Sequence, residues 1–277
     1  LIIRGGGDPS LVVEDLKEII EKIRHLYGIK TIEGELIFDV SYFGAKSLPM
    51  AEGFEGDNGR SFATDLTPSP MNQNSFSFWI APSHRNEKKA LVTTVPADVL
   101  DIKVTNNTKV NGGNSISVDY NPESMKATVT GSIASEAEPK GIYRSAPDSY
   151  VYYTKLIHKL WIDSKGEWKK TSYKIEVKPA KMTLLWKHAS RPLAKILMDV
   201  NKLSLNMGAG LTLLAAVAKN SQGNHKASYQ ANYQTSYEKS LILIKDCLKD
   251  FSIPAGSIQL TNASGLSREA EIKTSSL

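Results

Sequence analysis

The chain has 277 residues, of which 41% are hydrophobic, and its 34 basic and 29 acidic residues leave a net charge of +5 at pH 7. A chain of this length can bury one or two hydrophobic cores. Its basic residues are scattered, with no cluster longer than a pair such as Lys88-Lys89, which argues against nucleic-acid binding. No stretch approaches the roughly 20 apolar residues that span a bilayer, and no signal-peptide pattern is found.

The first thirty residues predict a strand, a glycine-rich turn and a helix. The run RGGGDPSL (4–11) lacks both the GxxxxGK[ST] phosphate loop and the GxGxxG dinucleotide pattern. Glycines that permit positive φ, followed by Pro9, therefore favour a sharp turn. Glu14 and Asp15 suit the first turn of the helix, and Gly28 suits its C-terminal end.

The next segments predict a strand, a long loop and a small β module. Residues 35–43 alternate as a strand does, residues 44–75 are polar and rich in glycine and proline, and SFSFWIA (75–81) predicts another strand. From 91 to 141, short alternating segments separated by Asn/Gly/Pro turns predict the β module. Its predicted strands are VLDIKV (99–104), SISVDY (115–120) and KATVTGSI (126–133), and its predicted turns include NNTKVNGGN (106–114).

The second half of the chain becomes mainly helical. A helix is predicted over 149–163, strands over 173–178 and 182–187, and helices from 190 onward. The lone cysteine, Cys247, lies at helical spacing among apolar residues, which favours a buried structural thiol. The apolar stripes of the three late helices are Leu193, Ile196, Leu197 and Val200; Leu211, Leu214, Ala215 and Ala218; and Tyr237, Leu241, Ile244 and Leu248.

The residues point to no metal site, and one segment stands out for chemistry. The five histidines are scattered without an HExxH pair or a Cys/His cluster, so neither a metal nor another cofactor is expected. Residues 187–217 predict a helix, a short Asn201-Lys202 turn and a second helix that opens at Ser204-Leu205-Asn206. Ser204 is either a simple N-cap, worth about 1 kcal/mol, or part of a Ser-x-Asn pair whose hydroxyl and amide face a cleft.

Three landmarks, in order, give the chain a family resemblance. GGGDPSL (5–11) with GELIFDVSYF (34–43), then SRPLAKILMDVNKLSLN (190–206), then SGLSR (264–268) resemble the low-molecular-mass class C penicillin-binding proteins. These are serine D-alanyl-D-alanine carboxypeptidases and endopeptidases that act on peptidoglycan stem peptides. The sequence departs from the family at Asn262-Ala263, where Asp-Gly is usual. The resemblance implies an acyl-enzyme mechanism without metal or cofactor, β-lactams as acylating inhibitors, and a periplasmic or secreted location.

The resemblance also assigns roles to individual residues. It implies that Ser204 relays a proton and that Asn206 holds the substrate amide. Asp57 matches an acid that pairs with a free amine of the stem peptide in some relatives, although a solvated loop acid is an equal alternative. The Ser-x-x-Lys at Ser236–Lys239 follows Ser-x-Asn instead of preceding it, and Lys273-Thr274-Ser275 is too close to SGLSR to be Lys-Thr-Gly.

The combined prediction is a multi-domain α+β chain that belongs to a longer protein. An α/β accessory domain (1–90 and 142–187) carries the inserted β module (91–141), and 188–277 is the helical part of a transpeptidase-like domain. Because the first residue is not methionine and lies within a predicted strand, we expect part of a complete enzyme, inactive alone. The alternative function is a non-catalytic cell-wall-binding or scaffolding relative that lacks the nucleophile motif.

Overall fold

The computed structural model describes residues 1–43, 46–48, 59–83, 88–176, 182–223 and 233–276. It has mixed α+β structure, as the sequence predicts, and divides into two compact units. Unit 1 comprises Leu1–Glu55, Asp65–Gln73 and Leu160–Leu277, and unit 2 comprises Gly56–Thr64 and Asn74–Lys159. These bounds differ from the three domains drawn from the sequence, which stay a prediction.

Unit 1 contains a parallel three-stranded sheet with its first helix. Strands β1 (Ile2–Arg4) and β11 (Tyr173–Glu176) flank β3 (Leu36–Asp39), and both pair with it in parallel. The alternation predicted for 35–43 is confirmed, since Leu36, Phe38 and Val40 are buried. Two further pairs are short: β2 (Thr31–Ile32) with β10 (Glu167–Trp168), and β12 (Ile258–Gln259) with β13 (Glu271–Ile272).

The glycine run between β1 and helix α1 (Val13–Leu26) is a turn, as predicted. Gly5 lies against the chain at Pro68, where an added Cβ would come within 2.1 Å of the Pro68 carbonyl oxygen. Gly7 has φ 73° and donates its backbone N–H to the same oxygen at 2.7 Å. Gly6 has open space around it. The run therefore lets the backbone approach a neighbouring loop closely.

That neighbouring loop also caps α1. The residue before the helix, Val12, has no side-chain acceptor, so the Val13 N–H needs a partner from elsewhere. Asn72 supplies it, because its Oδ1 accepts from the Val13 amide at 3.1 Å while its own N–H donates to the Leu11 carbonyl at 3.1 Å. Asn72 has φ 49°, a left-handed conformation that asparagine tolerates better than most residues.

Unit 2 contains two three-stranded sheets. In one, β4 (Ser75–Ala81) lies between β5 (Leu91–Val95) and β9 (Lys140–Ser145), antiparallel to both. In the other, β8 (Lys126–Ile133) lies between β6 (Lys103–Val110), which is parallel to it, and β7 (Ser117–Asn121), which is antiparallel. Rings of Phe76 and Phe78 meet the Tyr120 ring edge-on at 5.4 and 6.0 Å, so aromatic packing joins the two sheets.

The helices begin close to where the sequence predicts them. Helix α2 (Ser149–Asp163) has the predicted bounds, and α3 (Leu193–Leu203), α4 (Asn206–Gly223) and α5 (Tyr233–Asp250) follow. The predicted stripe of α4 is confirmed at Leu211 and Leu214, which are buried in a cluster of unit 1. In α3, by contrast, Ile196 is buried while Leu193 is 59% exposed. The cluster consists of Phe43, Leu66, Met207, Leu211 and Leu214.

Four local predictions are wrong. Residues 182–187 form no strand, and Leu184 there is 77% exposed. NNTKV (106–110) is not a turn but part of β6, where the Asn106 amide donates to the Ala90 carbonyl at 2.9 Å. Asn201 and Lys202 continue α3 instead of forming a turn. Cys247 is exposed, and the apolar stripe beside it on α5 is itself only half-buried at Leu241, Ile244 and Leu248.

Candidate functional site

The Ser-x-Asn segment forms the tight connection between α3 and α4. Helix α3 ends at Leu203, and Ser204 follows in the left-handed conformation, with φ 54° and ψ 52°. The N–H groups of Ser204 and Leu205 both donate to the Val200 carbonyl, which satisfies an acceptor at the helix end. Helix α4 begins at Asn206. Ser204 is therefore the C-cap of α3 and not the N-cap of α4 that one interpretation of the sequence predicted.

A serine in this conformation is unusual. Glycine, and sometimes asparagine, occupies most left-handed positions at helix ends, because a Cβ there costs about 1–2 kcal/mol. Ser204 keeps this conformation despite its free-energy cost, and backbone strain of this kind is concentrated at functional sites. The left-handed conformation does not require a hydroxyl group. The backbone geometry therefore does not explain why position 204 is a serine.

The two polar side chains of the segment make no internal hydrogen bonds within the described part of the chain. Ser204 is exposed, and Asn206 is half-buried beside the buried Met207. The Ser204 hydroxyl and the Asn206 carboxamide are two residues apart on one turn, and both are available to an external partner. This arrangement fits the second interpretation of the sequence, in which the pair faces a ligand.

Two glycines of α4 fix the position of this turn, and sequence reasoning did not single them out. A Cβ on Gly208 would lie 2.5 Å from Val200 Cγ2, and a Cβ on Gly210 would lie 2.7 Å from Leu66 Cδ1. At either distance the neighbouring side chain would have to shift to admit a Cβ, so the two glycines let α4 pack closely on α3 and on Leu66. The only sequence signal was the Gly-Ala-Gly spacing inside a helical pattern.

The SGLSR segment forms a loop that Asn262 holds together. Asn262 is 8% exposed; its Nδ2 donates to the Leu266 carbonyl at 2.8 Å, and its Oδ1 accepts from the Ser264 hydroxyl at 3.2 Å. Gly265 has φ 73°, which allows the loop to turn. The asparagine uses both ends of its amide here, and an aspartate at 262 would keep only the acceptor.

The remaining predicted positions are placed as follows. Asp57 lies outside the described residues, so its relation to Ser204 and Asn206 stays a prediction. The rejected Ser236–Lys239 pattern falls within α5. Lys273 follows β13 and donates its N–H to the Ser257 carbonyl at 2.9 Å, and the next residues form a single 3-10 turn instead of a strand.

One buried charge lies at the end of the parallel sheet of unit 1. Asp39 has no exposed side-chain surface, and Arg4 on the neighbouring strand donates to its Oδ2 at 2.5 Å. Burial by itself would raise the pKa of Asp39, but hydrogen bonds from Ser41 and Arg4 outweigh it and hold the pKa below its usual range. Both partners are structural neighbours in the sheet, so this pair stabilises the fold and is not part of the Ser-x-Asn site.

In the described ranges, no three side chains among His, Cys, Asp and Glu come together as metal ligands. Across the same ranges, no helix combines the length and the apolar character that crossing a membrane requires.

Known proteins match the chain over 97% or more of its length. The curated relative "D-alanyl-D-alanine carboxypeptidase DacB" of Haemophilus influenzae is 26% identical over 97% of this chain and 54% of its own length. The crystal structure of penicillin-binding protein 4 (dacB) from the same organism aligns with a TM-score of 0.70 over 58% of its chain. Its complex with a novel β-lactam aligns with a TM-score of 0.63 over 56% of its chain. Both are 21% identical to this chain. At that identity the structural likeness shows the fold alone.

The chain thus spans a little over half the length of the relatives it matches. The profile of one peptidase family matches residues 1–277, which is every residue of the sequence. The order of landmarks, the mixed α+β fold and this match agree: the chain belongs to the D-Ala-D-Ala carboxypeptidase 3 (S13) family.

Proposed function

We propose that this chain supplies the Ser-x-Asn wall of the active site in a serine-type D-Ala-D-Ala carboxypeptidase or endopeptidase. The observation that carries the proposal is the α3–α4 turn, where Ser204 keeps a left-handed conformation and presents a hydroxyl without an internal partner. Family membership supplies the reaction class. The substrate is the D-alanine-terminated stem peptide of peptidoglycan. β-Lactams resemble this peptide and acylate the nucleophile in its place.

In the proposed acylation step, a serine attacks the carbonyl carbon between the two D-alanines. The C–N bond breaks, an ester forms on the serine, and the free D-alanine leaves with the proton that the serine gave up. In this proposal Ser204 passes that proton, because a hydroxyl can accept one hydrogen bond while donating another. The Asn206 amide donates to the peptide carbonyl and accepts from its N–H in the same proposal. Water then hydrolyses the ester.

The nucleophile itself is proposed to lie outside these 277 residues. The Ser-x-x-Lys pattern that occurs here, at Ser236–Lys239, has the wrong order for the family, and Lys273-Thr274-Ser275 does not lie on a strand. Asp57 is proposed to pair with a free ammonium group of the stem peptide through a charge-assisted hydrogen bond. Because peptidoglycan lies outside the cytoplasm, a periplasmic or secreted location is part of the proposal.

The test uses the complete gene product that carries this sequence. D-Alanine release from a soluble pentapeptide and acylation by a fluorescent penicillin are measured for wild type, Ser204→Ala and Asn206→Ala. We expect each substitution to slow release by about 100-fold or more, because general acid–base groups contribute about 10²–10⁴-fold. Ser252→Ala is a matched control, because Ser252 is also exposed and left-handed, with φ 60°.

The outcomes separate the enzyme from the alternative function. Release that is unchanged in Ser204→Ala contradicts the role of the hydroxyl. A gene product that takes no penicillin label and releases no D-alanine, yet sediments with purified cell walls, instead supports the non-catalytic binding relative. Asp57→Asn is expected to raise KM for a stem peptide with a free amine and to leave KM unchanged when that amine is acetylated.

A further inference from the structure

One face of the β5–β4–β9 sheet in unit 2 carries large apolar side chains toward solvent. The strand register places Trp79 opposite Thr93 and Gly141, and it places Ser77 opposite Val95 and Tyr143. Because side chains alternate between the two faces of a sheet, these residues share one side. We call this side the outer face; its members are Ser77, Trp79, Ala81, Leu91, Thr93, Val95, Gly141 and Tyr143. Ser77 is itself buried, and the same side continues into the buried Ser75 and Ser145.

Four members of the outer face are more exposed than a folded chain usually leaves such side chains. Tyr143 is 62% exposed, Leu91 53%, Val95 44% and Trp79 42%. The opposite face of the same strand is buried, with Phe78 and Ile80 fully enclosed. The sheet has its core on that side, and the four exposed side chains of the outer face form one contiguous apolar group of the kind that can bind a ligand.

The indole of Trp79 packs against Gly141 on the outer face. A Cβ built on Gly141 would lie 3.4 Å from the indole Nε1 and 3.9 Å from both Cδ1 and Cε2, which is ordinary van der Waals contact. The pyrrole edge of the indole therefore lies next to the bare backbone of Gly141, and Trp79 is still 42% exposed. Tyr143, two residues along the same strand, adds a second aromatic ring.

The outer face carries no charged side chain. All eight of its members are apolar or bear a hydroxyl, although Asp, Glu, Lys and Arg make up 23% of the chain. Thr93 and Tyr143 add hydroxyl groups next to the rings. Flat aromatic faces beside neutral hydrogen-bonding groups complement an uncharged ligand with both C–H and hydroxyl surfaces. A sugar ring has that chemistry, whereas an acidic polymer or an anionic lipid would need basic residues here.

The outer face is too small for a stable protein interface. Three strands about 4.8 Å apart and about five residues long, at about 3.4 Å per residue, cover roughly 240 Å². A stable protein–protein interface takes about 800 Å² from each partner. This footprint matches a few sugar rings in a row, whereas a second copy of this chain would have to bury surface well beyond the outer face.

We infer that the outer face binds the glycan strand of peptidoglycan, an uncharged β-linked amino-sugar chain, with Trp79 and Tyr143 stacking on the sugar rings. The identity of the polymer rests on the proposed function, but the sugar chemistry follows from the face itself. Because the glycan strand carries the stem peptides, binding to the strand would keep the enzyme on its insoluble substrate.

The test titrates the complete gene product that carries this sequence with the neutral N-acetylglucosamine tetramer, by calorimetry and by tryptophan fluorescence. Trp161 and Trp168 are buried and Trp186 is half-buried, so the fluorescence change on binding is assigned to Trp79 by its loss in Trp79→Ala. We expect Trp79→Ala to weaken binding at least tenfold and Tyr143→Ala to weaken it severalfold. Tyr27→Ala is the matched control, because Tyr27 is 49% exposed and lies in unit 1, and it should bind like wild type.

Several results would overturn the inference. They are a wild-type chain that does not bind the tetramer, equal binding by wild type and Trp79→Ala, or a dimer in sedimentation equilibrium that Trp79→Ala dissociates. Circular dichroism of each variant shows whether the sheet is intact. Because the tetramer contains no peptide, its binding does not depend on D-alanine release. The glycan site and the proposed peptidase activity can therefore fail separately.

Discussion

Replacing Ser204 with glycine is expected to stabilise the fold while removing the proposed proton relay. Ser204 has φ 54° and ψ 52°, and a left-handed conformation costs a residue with a Cβ about 1–2 kcal/mol. Glycine removes this cost. It also makes the unfolded chain more flexible, which lowers the free energy of unfolding by about 0.4–1 kcal/mol. The expected net gain in the free energy of unfolding lies between about 0 and 1.6 kcal/mol, with a midpoint of about 0.8 kcal/mol.

The measurement is urea unfolding of the gene product, followed by circular dichroism, together with D-alanine release. Ser204→Ala is the companion variant, because alanine also lacks the hydroxyl but keeps the Cβ and therefore the strain. Both variants should lose release, and Ser204→Gly alone should gain stability. Ser252→Gly, at an equally left-handed and exposed position, should gain similar stability and keep full release.

Two results would refute this reasoning. If Ser252→Gly is stabilised but Ser204→Gly is not, then the backbone at 204 is not held in the left-handed conformation in solution. If Ser204→Gly is stabilised and still releases D-alanine at the wild-type rate, the strain at this position has a cause other than catalysis. Either result removes the main support for the Ser-x-Asn site.

Three further predictions concern stability. Gly208→Ala should clash with Val200, so in urea unfolding its cost should shrink by about 1–3 kcal/mol when Val200→Ala is also present; additive costs contradict the contact. Because the folded pKa of Asp39 is depressed, its stabilisation is present above about pH 4 and is lost as pH falls through the folded pKa. Unfolding of wild type should therefore become easier below about pH 4, more steeply than that of Asp39→Asn, and parallel curves would contradict the pairing. Gly5→Ala should cost about 1–3 kcal/mol in the same assay, while Gly6→Ala should be within about 0.5 kcal/mol of wild type; equal effects would contradict the close approach at Pro68.

Sequence patterns predicted the elements that bury a regular face. SFSFWIA, KATVTGSI and residues 149–163 match β4, β8 and α2 at both ends. In each case the periodicity of apolar residues reflects a face that packs on a core. The RGGGDPSL turn was predictable for a different reason, since successive glycines and a proline leave few other conformations.

Predictions failed where pairing partners decide the outcome. NNTKV has the composition of a turn, yet eight residues of β6 pair with β8 in register from Lys103–Lys126 to Val110–Ile133. MTLLWK has the composition of a strand, yet it pairs with no described strand. The composition of a segment indicates which conformations it can adopt. Whether a strand forms there also depends on a neighbouring strand to pair with, and that is set by the whole fold.

The candidate site shows the same limit at the level of a single turn. The Ser-x-Asn pattern is visible in the sequence, but its orientation depends on Leu66, which lies about 140 residues earlier and packs on the bare backbone of Gly210. Because a buried leucine and a glycine interlock there, a bulkier side chain at either position would shift the start of α4 and with it Asn206. Substitutions at Leu66 should therefore alter activity without touching the substrate, whereas substitutions at Ser204 alter it directly. The motif alone therefore does not locate the candidate site. It identifies the candidate polar side chains, and packing by residues distant in sequence sets their orientation.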